Sequence, residues 1–312
     1  MEIDNICQTR VGRKKNRKST QSVEDETFKF FVHKSDVLAR LLMDNVDELA
    51  GMSVEEIKGC LQLGADGDTV IGKETEYSVR KNDKVILDSV FDVHIPGTEK
   101  EISLVVGIEG QNNPRPGYPL EKRAEYYLAR MVSAQKGRDF DGKNYGGLRK
   151  TYSIWCVLDP LADERNTVYK YKMKGETTFG DTGKEPRPMD TFNVIFINLG
   201  RYADNLPDSL AIGTAMFSKM DIDERKELVK KKFNIELDDK ELGRLEEMST
   251  LGEDKYEHGK TDGIEIGIDM TVGTIVSYIR DTGISVDEAL TRSQIPDEYR
   301  SEVEKEVRKR LS

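Results

Sequence analysis

"ILDSVFDVHIPGTEKEISLVVGIEGQ", residues 86–111, is the stretch on which the fold turns. Two β-favouring runs, 84–95 and 101–111, flank "PGTEK" at 96–100, whose Pro and Gly mark a turn. They read as antiparallel neighbours. The second run is apolar through Val105, Val106 and Ile108, then ends with Glu109 and Gln111 separated only by Gly110. Side chains alternate across a strand, so Glu109 and Gln111 share a face. Asp92 lies in the first run and can approach Glu109 across an antiparallel pair. Asp88, four residues earlier, shares that face in an unbulged strand and competes with Asp92 for the same role.

Two carboxylates side by side repel unless a cation lies between them. A hard divalent ion with oxygen ligands, Mg2+ or else Mn2+, relieves that repulsion, and the backbone carbonyl of Gly110 can add a ligand. Such an ion activates water and polarises a phosphoryl oxygen, which is the chemistry of phosphodiester hydrolysis. Gln111 carries no transferable proton but can donate hydrogen bonds from its amide to water or phosphate. The same residues also read as ordinary polar groups at an exposed strand end, because neither carboxylate spacing nor E-x-Q is specific alone.

Outward from this hairpin, "TEYSVR" (75–80) reads as a third strand before it. A helical pattern begins at Phe28 and runs through Phe31, Val32, Val37, Leu38, Leu41, Leu42 and Val46. "MSVEEIKGCL" follows, with Ser53 and Glu56 spaced as a capping box. On the other side, residues 118–137 read as a helix that Pro119 opens and Gly137 stops. "TYSIWCVL" (151–158) is apolar enough for a strand buried on both faces. "NTVYKYKM" (166–173) and "FNVIFINL" (192–199) extend the sheet. The fold class is therefore α/β: helix, three-stranded antiparallel meander, helix, further strand. Three regions are expected: a basic, unstructured arm over 1–24, an α/β domain over 25–204, and an acidic helical region over 205–312.

The chain of 312 residues is 37% apolar and 34% charged, with a net charge of −10, so it is not basic overall. Local charge differs. "RVGRKKNRKST" (10–20) is strongly basic, and residues 118–150 carry eight Lys or Arg against four Asp or Glu. Arg123, Tyr127 and Arg130 fall on one helix face, where the two arginines can reach a phosphate. The alternative is a solvated face of paired charges. Cys7, Cys60 and Cys156 are widely separated and form no C-x-x-C, which argues against zinc or a disulfide framework. There is no Walker loop and no G-x-G-x-x-G after a strand. With no secretory h-region and no run of about 18 apolar residues, a cytoplasmic protein without a membrane partner is expected.

The Asp strand, the "GIEGQNN" strand end and "YPLEKRAEYYLARMVSAQKG…YGGLRKTYSIWCVL" together resemble the PD-(D/E)XK nuclease family transposases, relatives of the bacterial recombination-promoting nucleases. The resemblance covers about residues 27–200 and is most specific over 118–158. It implies a restriction-endonuclease-like core and a Mg2+-dependent DNA endonuclease. Carried over residue by residue, Asp92 and Glu109 hold the metal and Gln111 stands where the superfamily usually has lysine. Arg123, Tyr127 and Gln135 face DNA, as the helix-face reading gives for Arg130, with Tyr145 and Leu148 leading into the buried strand. Gly110 departs from the larger residue usual there. A decayed nuclease fold that binds DNA or protein without turnover is the alternative, and a homodimer through the C-terminal helices is a further expectation.

Overall fold

The computed structural model describes residues 23–73, 76–80, 83–96, 102–112, 115–180 and 183–311. The arm expected over 1–24 lies outside these residues except for Val23 and Glu24, which already belong to a helix. The turn after Pro96 lies outside them as well.

Three helices precede the strands: α1 (residues 23–32), α2 (Ser35–Met43) and α3 (Val54–Lys58). Their apolar positions recur at helical spacing, and Phe28, Phe31, Val37, Leu38, Leu41 and Leu42 are all buried. Ser53 and Glu56 form the expected capping box at α3, each satisfying the other's backbone N–H.

β1 (Glu76–Arg80) and β2 (Asp83–Ile86) pair antiparallel in a sheet of their own. β3 (Ser89–Ile95) and β4 (Ile102–Gln111) form the predicted antiparallel hairpin. The expected three-stranded meander is thus corrected to two separate antiparallel pairs, because the run 84–95 breaks at Leu87 and Asp88. There the Asp88 backbone N–H donates to the Glu109 carboxylate at 2.9 Å. The Gly110 N–H in turn donates to Asp88 Oδ2 at 3.0 Å. Side-chain carboxylates have replaced ladder carbonyls, so the strand cannot run straight through.

Helix α4 (Leu120–Ser133) carries the chain from β4 to β5 (Thr151–Val157), which lies parallel to β4, as a helical crossover permits. β6 (Thr167–Lys172) and β7 (Phe192–Asn198) complete a five-stranded mixed sheet of order β3-β4-β5-β7-β6. β5 is buried along its whole length, as its apolar sequence predicts. One sheet face, with Val90, Val105, Trp155 and Phe196, packs on α4. The other, with Phe91, Val106, Ile108, Ile154 and Ile197, packs on α1, α2 and the helical chain between β7 and Ser249.

Five helices follow β7: α5 (Asp208–Phe217), α6 (Ile222–Phe233), α7 (Asp239–Thr282), α8 (Val286–Arg292) and α9 (Asp297–Leu311). Every residue of α5 from Ser209 to Phe217 is buried. A helix apolar all round belongs inside a domain. Val229 and Phe233 of α6 and Leu245 and Met248 of α7 join the same core. The chain accordingly divides between Ser249 and Thr250 rather than at the expected 204/205 boundary. The unit from Thr250 onward has its own small core, in which Val272 and Val276 of α7, Leu290 of α8 and Val303 and Val307 of α9 are buried. Among the described residues no helix is long and apolar enough to cross a membrane.

Candidate active site

Glu109 is 3% exposed near the end of β4, on the α4 face of the sheet. Its register neighbour beyond the first residue of β3 is Asp88, since Ser89 pairs with Ile108. The reciprocal hydrogen bonds at the chain break hold the two acids together. Asp88 Oδ2 takes the Gly110 N–H, and Glu109 Oε1 takes the Asp88 N–H. Burial, and then the neighbouring Asp88 carboxylate, push the Glu109 carboxyl up to about 8. The backbone hydrogen bond from Asp88 and the charges of Arg123 and Lys29 pull it the other way without cancelling the rise.

The expected convergence of Asp92 on Glu109 is corrected. Asp92 pairs with Val105, four residues back along β4 and therefore roughly 13 Å away along the strand. Its carboxylate instead takes Arg149 Nη1 at 2.9 Å and an ion pair from Lys73. Arg149 extends the cluster to Asp139 at 2.7 Å. This network ties the approach to β5 onto the middle of β3. His94, two residues further from the break, is exposed.

Two cations border the acid pair. Lys29 of α1 places Nζ 3.2 Å from Asp88 Oδ1. Arg123, half-buried on α4, donates from Nη1 to Gln111 Oε1 at 3.2 Å. Its guanidinium carbon lies 4.9 Å from the Tyr127 ring centroid and 5.2 Å from that of Trp155, a position suited to a planar cation over aromatic faces. Gln111 is 8% exposed and shares the face of Glu109, as alternation requires. With its carbonyl oxygen held by Arg123, the direction of its NH2 group is set. On the far side Glu24 of α1 accepts from Asn112 Nδ2 at 2.7 Å, which fastens α1 across the end of β4.

The residues expected at a DNA face separate. Arg123 stands at the site. Tyr127 packs beside both Arg123 and Trp155, its ring 5.6 Å from the indole, and so braces the arginine. Arg130 is corrected: it is 7% exposed and its Nη1 donates to the Tyr126 hydroxyl at 3.2 Å. Gln135 is corrected as well, being fully buried. Its amide donates to Thr151 Oγ1 at 2.8 Å and accepts the Arg149 N–H at 2.8 Å, latching the segment before β5. Tyr145 is exposed in a single 3-10 turn, its ring against Phe140. Gly110 is glycine for a packing reason: a Cβ there would lie 2.7 Å from the Phe28 ring of α1.

Comparison with known proteins finds no match: no family model, no curated protein and no solved structure aligns with the chain. The site stands on its own geometry. Among the described residues no group of three or more His, Cys, Asp or Glu gathers around one point, so the acid pair is a two-carboxylate cluster. Two carboxylates suit a hard ion that keeps several waters, as Mg2+ does, and not a fully enclosed protein cage. To ligate such an ion the raised Glu109 carboxyl must lose its proton, and a cation beside the pair favours that charged form. Lys29 is the residue that the sequence reading missed. It lies on the polar side of a helix recognised by its apolar stripe, 59 positions before Asp88.

Proposed function

We propose that the chain is a metal-dependent DNA endonuclease with a PD-(D/E)XK-type core, related to the nuclease family transposases. The observation that carries this reading is the buried Asp88–Glu109 pair, locked by reciprocal backbone hydrogen bonds and bordered by Lys29 and Arg123. The order α1, β3, β4, α4, β5, with β5 parallel to β4, supports a restriction-endonuclease-like arrangement in which Asp88 takes the place first given to Asp92.

In this reading Asp88 and Glu109 hold Mg2+, with Mn2+ as a substitute. The bound ion would supply Lewis acidity toward a phosphoryl oxygen and lower the pKa of a bound water. Arg123 and Lys29 attract and orient the phosphate diester by charge. Gln111, aimed by Arg123, positions water or phosphate through its amide. Tyr127 keeps Arg123 in place. The basic arm at 10–20 and the charged surface of 118–150 add sequence-independent attraction to the DNA backbone.

The test is nicking of supercoiled plasmid by the full chain, with Mg2+ or with chelator. Wild type is expected to nick only with the metal. Asp88→Asn and Glu109→Gln are expected to fall to background, and Lys29→Gln to retain a reduced rate. Asp92→Asn is expected to nick at a rate near wild type while melting at a lower temperature, because Arg149 loses a charged partner worth about 1.5–3 kcal/mol. Loss of nicking in Asp92→Asn with retention in Asp88→Asn would reverse the assignment. A second reading, a nuclease fold that binds DNA without turnover, is favoured by the Lys29–Asp88 ion pair, which already neutralises one acid. It predicts salt-sensitive DNA binding and no nicking with either metal.

A further inference from the structure

A second concave feature lies on the same sheet face as the acid pair. In register, Glu109 is followed across the sheet by Trp155, Phe196 and Tyr169. The next row on that face is Gln111, Val157, Asn198 and Thr167. A cavity of about 470 Å³ opens over the β7 side of these two rows, lined in part by Phe196, Tyr169 and Asn198. The loop leading into α4 closes it with Arg115 and Tyr118, and the first turn of α4 adds Glu121. β7 lies two strands from β4, so the cavity is centred roughly 10 Å from the carboxylate pair. Arg123, one turn along α4 from the cavity lining, stands over Trp155 between the two.

We infer that this cavity takes one unstacked base of a DNA strand whose neighbouring phosphate lies at Arg123. The inference rests on the nuclease reading of the acid pair. Its volume falls in the range of small-molecule sites, and its composition is that of a base site: aromatic walls with a few polar groups. Tyr118 and Tyr169 are 50% and 39% exposed, so each has ring surface open to a ligand, while Phe196 at 5% forms the floor. Aromatic side chains of this kind stack on any base. Arg115 and Asn198 offer donors, and Asn198, Glu121 and Glu164 acceptors, to the base edge. A base inside a duplex cannot reach such a site without leaving its stack, so the cavity favours single-stranded, frayed or mismatched DNA.

The experiment uses the full chain with chelator present and a short single-stranded DNA that carries one 2-aminopurine. Binding is expected to quench the 2-aminopurine emission, and a fully paired duplex of the same sequence is expected to quench it less. Tyr169→Ala and, separately, Tyr118→Ala are expected to weaken single-strand binding about fivefold or more, and Tyr169→Phe to bind like wild type. Thermal melting of each variant controls for folding, and Tyr118 lies in a loop where truncation leaves the sheet intact. Equal affinity in wild type and in both alanine variants would overturn the base site even if plasmid is nicked. Quenching that depends on Tyr169, in a protein that nicks nothing with Mg2+, would keep the base site and remove the nuclease reading beneath it.

Discussion

Burial and the neighbouring Asp88 push the Glu109 carboxyl far above the ordinary carboxylate range, which its position in the sequence would not suggest. A carboxyl raised to about 8 in the folded chain and near 4.5 when unfolded binds more protons folded than unfolded across that interval. Its contribution to stability is therefore complete below about pH 4.5 and lost as pH rises toward 8. Glu109→Gln keeps an oxygen to accept the Asp88 N–H and removes the charge. Without metal, the variant should melt close to wild type at pH 5 and several degrees higher at pH 8, a gain of about 1–3 kcal/mol. If the pair holds Mg2+ as proposed, it does so in its ionised form, so the ion should raise the wild-type melting temperature at pH 8 and leave Glu109→Gln unchanged. Scanning calorimetry at the two pH values, with and without Mg2+, measures all four cases. A variant that melts below wild type at pH 8 would show that Glu109 is not held neutral by its surroundings.

At the scale of elements, β4 is positioned by two glycines on opposite faces. A Cβ on Gly107 would meet Met131 Sδ of α4 at 2.7 Å, and a Cβ on Gly110 would meet the Phe28 ring of α1 at the same distance. Methionine is unbranched and yields; a buried ring held by Phe217 at 4.9 Å does not. Gly110→Ala should therefore cost about 1–3 kcal/mol in denaturant unfolding, and Gly107→Ala less than half of that. Combining Gly110→Ala with Phe28→Leu should recover part of the loss, and equal costs at the two glycines would refute the account. Most strands and helices of the α/β region were legible because their signals are local: the Ser53–Glu56 spacing of the capping box, and the apolar patterning of the hairpin β3–β4 and of the wholly buried β5. The break at Leu87–Asp88 was not legible. It depends on a carboxylate 21 residues away accepting a backbone N–H, and an alternating pattern continues through the break unchanged. Asp92 was favoured because it lies closer to the hairpin turn and matches the resembled pattern, yet the register about that turn sets Asp88, not Asp92, opposite Glu109. Arg130 was misplaced because a polar residue at helical spacing reads as surface, and Gln135 because the resemblance set it facing DNA; here the Tyr126 hydroxyl and the Thr151 segment satisfy them.

For the whole molecule, the question is how much chain the α/β core needs. A boundary at 204/205 follows the change from strands to acidic helices in the sequence, yet it cuts through the core. Leu210, Ala211, Ile212, Ala215, Met216 and Phe217 of α5 are at most 5% exposed, and so are Val229 and Phe233 of α6. Burying one larger apolar side chain contributes about 1.5–3 kcal/mol, so losing the six larger ones of this set costs about 9–18 kcal/mol, as much as the 5–15 kcal/mol by which a domain is stable. Arg225, fully buried, adds a specific tie by donating to the carbonyls of Met216 and of Ser218, the latter at 2.8 Å, at the end of α5. A chain ending at residue 204 should be unfolded or aggregated. A chain ending at Ser249 keeps Leu245 and Met248 in the core and should unfold in one cooperative transition with near-native far-ultraviolet dichroism per residue. If the proposed site is complete within that unit, the shorter chain should also keep Mg2+-dependent nicking, while deletion of 250–312 alters oligomeric state if those helices mediate pairing. Sedimentation of the full chain and of the chain ending at Ser249 separates the two contributions. Cooperative folding of the chain ending at 204 would show that α5 and α6 cover a core already able to stand alone.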